Sequence, residues 1–215
     1  MHYLIKVFVM PLVFFNLLIA NDIYEDNALG VVLLMGDAGF GSGVIISSSG
    51  YVLTNNHVIE NNENLEAILS YQYELDGYEE YVHSIEIIKH DKVKDLALIK
   101  INNPRTVLRS IKISRRVPAI GSQVHAIGHP DLEVWTYTTG YISQIREEYE
   151  WSYEDDFEHM ANVYQTQTPI SEGNSGGPLL NSHGNLIGIN TFGASDNDFH
   201  NFSLTVDEII KFLIN

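Results

Sequence analysis

The 215-residue chain has no cysteine, so it can form neither disulfides nor thiolate-held metal sites. Positive charge is scarce: 12 Lys and Arg stand against 28 Asp and Glu, a formal net charge of -16. Proteins that bind nucleic acid gain affinity by neutralising phosphates with Lys and Arg, so no nucleic-acid partner is expected, and the negative surplus favours solubility. Metal-ligand spacing is missing as well. His83, His90, His125, His129, His159, His183 and His200 read as surface or hydrogen-bonded histidines, and no metal or organic cofactor is assigned.

Long apolar runs are absent with one exception. Met1 to Ala20 places Lys6 ahead of a nearly uninterrupted apolar stretch from Val7 to Ala20, and polar sequence resumes at Asn21-Asp22. This is the pattern of an export signal cleaved after Ala20 or kept as an N-terminal anchor. The segment is short for a membrane span, so no stable span is expected unless the leader is retained. The mature protein is expected to be exported, either periplasmic or secreted. A composition of 45% hydrophobic and 19% charged residues argues against disorder. The length suits one all-β unit.

Beyond the leader come short β-prone runs broken by Gly, Asn, Asp and Ser. They cover Leu29 to Met35, Ser42 to Ser47, Tyr51 to Thr54, Glu66 to Tyr73, Tyr81 to Lys89 and Leu96 to Ile101. A connecting stretch from Asn102 to Pro118 precedes a second set: Gln123 to Ile127, Val134 to Ile145, Val163 to Thr168, Pro178 to Leu180, Leu186 to Thr191 and Phe202 to Thr205. Such spacing predicts two β modules of barrel or sandwich type. Val206, Ile209, Ile210 and Leu213 then follow helical spacing with Thr205 as cap, which predicts a closing helix. Carboxylates gather in Glu60 to Glu86 and in Glu147 to Glu158, the latter read as an acidic loop. Solvated faces are the ordinary explanation for both.

One segment carries chemistry on its own terms. In Gly173-Asn174-Ser175-Gly176-Gly177-Pro178-Leu179 a serine sits among glycines that permit a tight turn, so its hydroxyl can stand clear while nearby N–H groups face a developing oxyanion. Upstream, Asn55-Asn56-His57-Val58 puts a histidine just past an apolar run, and Asp95-Leu96-Ala97-Leu98-Ile99-Lys100 puts a carboxylate at the start of another. The order His57, Asp95, Ser175 suits a triad in which imidazole removes the serine proton and the carboxylate orients the imidazole. Gly173 to Gly177 also fits the G-x-S-x-G elbow of α/β-hydrolases, but that elbow requires a helix after the serine and a later acid and histidine. Gly177-Pro178 and Ser182-His183-Gly184-Asn185 break any helix, and Asp196 and His200 lie too close together, so the elbow is rejected.

These motifs resemble the trypsin-like serine proteases, and within them the HtrA-like (high-temperature-requirement) family. The resemblance is carried by Gly41-Ser42-Gly43-Val44-Ile45-Ile46, Gly50 to Val58, Asp95 to Lys100, Ala126-Ile127-Gly128, Thr139 to Ser143, Gly173 to Leu179, Gly184 to Thr191 and the final helix. It implies an all-β fold of two six-stranded antiparallel barrels with a C-terminal helix. Residues 21–215 then form one protease domain, with barrels at about 29–115 and 116–205 and the helix at about 206–213. It also implies that Ser175 attacks a peptide carbonyl, His57 acts as general base and then acid, and Asp95 holds the imidazole tautomer. The oxyanion hole falls on the N–H groups of Gly173 and Ser175, with Asn174 in the same turn.

The family's primary pocket maps onto Pro169, Ile170, Asn190, Thr191, Phe192 and Gly193. It lacks the carboxylate needed to recognise Lys or Arg, so cleavage after small or medium apolar residues of unfolded proteins or peptides is expected. The bland alternative is that Ile170 and Phe192 are merely core. The chain departs from the family in having no PDZ segment after the helix and only Tyr24 of an aromatic N-terminal segment, so neither PDZ regulation nor trimerisation is expected and the oligomeric state stays open. The absence of cysteine separates it from the disulfide-rich digestive proteases. The acidic stretch Glu147 to Asp156 falls where the family has a regulatory loop. Two rival readings are a protease-like chaperone or binding module in which turnover is dispensable, and a relative of the glutamyl endopeptidases.

Overall fold

A computed structural model describes residues 23–60, 62, 64–70, 82–104, 107–153, 157–193 and 200–215. The expected leader lies outside the described residues. Among the described residues, twelve strands form two closed antiparallel barrels. In the first, β1 (Val31–Gly36), β2 (Gly39–Ile45), β3 (Tyr51–Thr54), β4 (Glu66–Leu69), β5 (His83–Asp91) and β6 (Leu96–Ile101) run in the order β1-β2-β3-β6-β5-β4. The second comprises β7 (Gln123–Gly128), β8 (Thr136–Ser152), β9 (Glu158–Thr166), β10 (Pro178–Asn181), β11 (Leu186–Gly193) and β12 (Asn201–Thr205), ordered β10-β11-β12-β9-β8-β7. A one-turn helix, α1 (Asn56–Ile59), follows β3, and α2 (Val206–Ile214) closes the chain.

The run Val31-Val32-Leu33-Leu34 explains how the barrels meet. Successive strand residues point to opposite faces. Val32 and Leu34 fill the first barrel with Ile45, Val52, Ala97, Ile99 and Ile101. Val31 and Leu33 face the other way and join a second cluster that includes Ile127, Trp135, Leu180 and Ile189 of the C-terminal barrel. Each such side chain, wholly buried, contributes roughly 1.5–3 kcal/mol. The 102–118 connection is tied down by the Ser114 N–H, which donates to the Leu186 carbonyl (2.8 Å), and by the Leu186 N–H, which donates to the Lys112 carbonyl (2.9 Å). In α2, Val206, Ile209 and Phe212 are buried, and Thr205 caps the start by accepting from the Glu208 N–H (3.4 Å).

Strand limits differ from expectation in one informative place. β8 extends to Ser152 and β9 begins at Glu158, so much of the acidic stretch 147–158 is the outer half of a long hairpin rather than a loop. The reason is alternation: Tyr149 and Trp151 turn onto Phe192 and Phe202, with ring centroids 4.9–6.2 Å apart, while Glu148 and Glu150 face solvent. Charge dominates the composition there, but every second residue is an aromatic with somewhere to pack. Parts of two other expected strands, residues 71–73 and 81, lie outside the described residues.

Candidate active site

The three triad candidates come from three local structures at the junction of the barrels. His57 sits on α1, whose Val58 and Ile59 are buried and fix the turn beneath it. Asp95 closes the turn into β6 with φ of 53°, a left-handed conformation uncommon outside glycine. Its carbonyl accepts from the Asn55 amide (2.9 Å), which helps hold that backbone. Ser175 lies in the turn before β10.

Asp95 is fully buried, and its carboxylate is encircled by donors. The His57 backbone N–H donates to Oδ1 (3.0 Å), and His57 Nδ1 lies 3.1 Å from Oδ1 and 2.9 Å from Oδ2. The Thr191 hydroxyl donates to Oδ2 (2.7 Å), as does the Tyr153 hydroxyl (3.1 Å). Burial alone would raise the Asp95 pKa. The adjacent imidazole and the hydrogen bonds outweigh it, and the carboxyl is held below its ordinary range. An ionised Asp95 requires a proton on His57 Nδ1, which leaves Nε2 as the basic nitrogen.

Ser175 joins this cluster through Thr191. Its hydroxyl donates to the Thr191 carbonyl (2.9 Å), and no hydrogen bond joins it to His57 among the described residues. The turn around it is stitched to the first barrel, because the Ser42 N–H donates to the Ser175 carbonyl (2.8 Å) and the Ser42 hydroxyl to the Gly173 carbonyl (2.7 Å). Gly173 (φ 94°) and Gly176 (φ 83°) set the turn's shape. A Cβ on Gly173 would collide with the His129 carbonyl oxygen, and one on Gly176 with the Ser42 carbonyl oxygen. The Asn174 N–H donates to Ser171, the Gly176 N–H to Asn190 and the Gly177 N–H to Asn174. The N–H groups of Gly173 and Ser175 have no such acceptor among the described residues. Asn174 is buried, with its amide filling the space that Gly128 leaves open.

The residues expected to form a substrate pocket divide into two groups. Asn190 is fully buried and committed at both ends, donating to the Pro178 carbonyl (3.2 Å) and accepting from the Ser203 hydroxyl (2.9 Å). Thr191 faces Asp95 and Ser175. Phe192 stacks between Trp151 (4.9 Å) and Phe202 (4.6 Å), which favours packing as its main task. Pro169 and Gly193 are exposed and Ile170 half-buried, and Gly193 lies beside the Ile170 carbonyl.

Sequence reasoning missed Ser42, Thr191 as a partner of Asp95, and Tyr153. Only Ser42 carried a signal, its place between two glycines. The other histidines are largely engaged: His90 Nδ1 with Asn56 (2.8 Å), His125 Nδ1 with the Tyr137 hydroxyl (2.6 Å) and His159 Nδ1 with the Lys92 carbonyl (2.8 Å). His129 Nδ1 accepts from the Trp135 N–H (3.1 Å). Among the described residues, no three His, Asp or Glu side chains are arranged to hold a metal ion.

With this double barrel and junctional site described, comparison with known proteins fixes the class: the chain belongs to the trypsin-like peptidase family, whose domain profile matches residues 41–189, and its relatives are of the HtrA type. It is 36% identical over 177 residues to the chloroplastic Protease Do-like 1 of Arabidopsis thaliana, covering 82% of this chain and 37% of that protein. It is 37% identical over 154 residues to the periplasmic pH-dependent serine endoprotease DegQ of Escherichia coli K12, covering 71% of this chain and 31% of DegQ. The chain thus spans about a third of the length of these relatives. Among solved structures it resembles the serine endoprotease of Yersinia pestis, with 30% identity, a TM-score of 0.74 and coverage of 97% and 67% of the two chains. The active form of the Rv3671c protease of M. tuberculosis shares the fold, with a TM-score of 0.78 at 20% identity over 99% and 93% of the two chains.

Proposed function

We propose that this chain is an exported serine endopeptidase that cuts unfolded proteins or peptides through an acyl-enzyme. The reading rests above all on Asp95, whose carboxylate pairs with His57 on one side and reaches Ser175 through Thr191 on the other. Substrate binding turns the Ser175 hydroxyl from the Thr191 carbonyl toward His57 Nε2. His57 takes the proton as Ser175 Oγ bonds to the scissile carbonyl carbon, and Asp95 stabilises the imidazolium. The N–H groups of Gly173 and Ser175 receive the oxyanion, where one such donor is worth about 3 kcal/mol. His57 then returns the proton to the leaving amine, and water hydrolyses the ester by the reverse sequence.

Preference for small or medium apolar residues before the cut follows from the apolar side chains of Pro169 and Ile170 and from the lack of any acidic residue among the pocket candidates. Export is supported by the Lys6-led apolar segment and by DegQ being named a periplasmic enzyme. Among the described residues no helix is long and apolar enough to cross a membrane. The test is hydrolysis of fluorescein-labelled casein with fluorophosphonate labelling, comparing wild type with Ser175→Ala. Loss of both signals in a variant with an unchanged melting curve is expected. Undiminished hydrolysis by pure Ser175→Ala protein refutes the mechanism.

A further inference from the structure

Tyr153 stands where the β8–β9 hairpin reaches over to the first barrel. Its hydroxyl lies 3.1 Å from Asp95 Oδ2 and 3.2 Å from Thr191 Oγ1, and its ring is tilted over the His57 ring at a centroid distance of 4.9 Å. The proton count fixes the direction of these bonds. Each hydroxyl has one hydrogen. Thr191 commits its own to Asp95 through the shorter 2.7 Å contact, so the Tyr153 hydrogen lies in the fork between Asp95 Oδ2 and Thr191 Oγ1. Burial raises the Tyr153 pKa, and the negative charge of Asp95 raises it further, so the phenol stays a donor throughout any working pH range.

The ring is gripped on its far side. His159 meets it edge-on at 4.9 Å and is itself anchored to the Lys92 carbonyl, and Phe157 meets His159 at 5.1 Å. Among the described residues, the titratable groups facing Tyr153 are Asp95 and His57 from the first barrel and His159 from β9. Lys92 turns its ammonium to Glu60 (2.8 Å) and over the Phe157 ring. Tyr153 is thus a rigid phenol whose one polar atom is aimed at the carboxylate behind the histidine.

We propose that Tyr153 is a positioning residue for the reaction: through its hydroxyl it fixes the Asp95 carboxylate and tempers its charge, and through its ring it limits the swing of His57. It touches no reacting atom and acts entirely through Asp95 and His57. The kinetic part rests on the serine-peptidase reading, whereas the effect on His57 does not.

Tyr153→Phe removes the donor and keeps the ring. A carboxylate with one donor fewer holds the imidazolium more strongly, so the acid limb of the kcat/KM profile moves up by about half a pH unit. A more loosely held Asp95 lowers kcat about 3- to 10-fold with KM changed less than about 2-fold. Phe157→Leu, which loosens the same hairpin without touching Asp95, leaves the limb in place. The assay uses a quenched-fluorescence peptide with Val before the cut. In parallel, the His57 ring resonances of histidine-labelled protein, assigned by their loss in His57→Gln, are titrated by NMR.

An upward displacement of the His57 titration in Tyr153→Phe, absent from Phe157→Leu, supports the assignment even if the protein cleaves nothing, in which case only the peptidase reading fails. Coincident His57 titrations for wild type and Tyr153→Phe overturn it, whatever happens to turnover. Equal displacement by both variants also overturns it, because packing alone then accounts for the effect.

Discussion

His129 connects protonation to stability in a way that one substitution isolates. Its ring is wholly buried beside Trp135, meeting it edge-on at 4.7 Å, and Nδ1 accepts from the Trp135 N–H, so a second proton can be added only by breaking that bond. Burial, slightly offset by the nearby Val32 backbone, pushes the pKa from 6.5 down to about 4. Below pH 6.5 the unfolded chain therefore takes up a proton that the native protein refuses, and stability falls with pH until the native ring also titrates near 4. Each unit of the gap is worth about 1.4 kcal/mol, so the whole loss is about 3 kcal/mol, of which about 2 is gone by pH 5.

The perturbation is His129→Asn, whose side-chain oxygen can still accept from the Trp135 N–H but carries no titratable ring. Urea unfolding at pH 8 and pH 5 measures it, with equal m-values as the check on two-state behaviour. Wild type should lose about 2 kcal/mol more than His129→Asn between the two pH values. The variant's lower absolute stability, from the smaller side chain, cancels in that difference. His125, also pushed down by burial, titrates in both proteins and cancels too. Asp95 acts in a lower window: its depressed pKa contributes stability above about 3.8 that is lost only as pH falls further. If the two proteins lose the same stability, the buried ring does not control acid sensitivity and the reasoning fails.

Two further substitutions probe the junction. Gly173→Ala forces a side chain into the space of the His129 carbonyl and so displaces its N–H; kcat on the Val peptide should fall about 10²- to 10³-fold, together with a stability loss of about 1–3 kcal/mol from the strained backbone, and an unaffected kcat in the folded variant removes this turn from the chemistry. Asp95→Asn should lower kcat about 10⁴-fold by presenting the wrong His57 tautomer. A loss under about tenfold means that the carboxylate does not orient the imidazole.

What could be read in advance was whatever announces itself locally. The run Val31 to Leu34 and the helical spacing of Val206, Ile209 and Leu213 each carry their structure in their own neighbours. Ser175, His57 and Asp95 stood out because glycine-rich and β-branched surroundings frame them. Thr191 and Tyr153 were opaque for the opposite reason, since their roles exist only after strands far apart in the chain are brought together. The 147–158 hairpin reads as a loop in the sequence because its carboxylates mask an alternation whose aromatic partners, Phe192 and Phe202, come about forty to fifty residues later. Gly128 shows the same limit, as its missing side chain matters only because Asn174 fills the gap.

The stitching of the serine turn by Ser42 bears on when the chemistry proposed for Ser175 becomes available. The turn belongs to the second half of the chain, yet its carbonyls are claimed by a strand near the beginning, and the serine hydroxyl rests on Thr191, sixteen positions further on. Neither half alone builds the serine turn. On the mechanism proposed above, a nascent or partly unravelled molecule therefore carries an inert serine, and activity requires both halves of the chain to be docked.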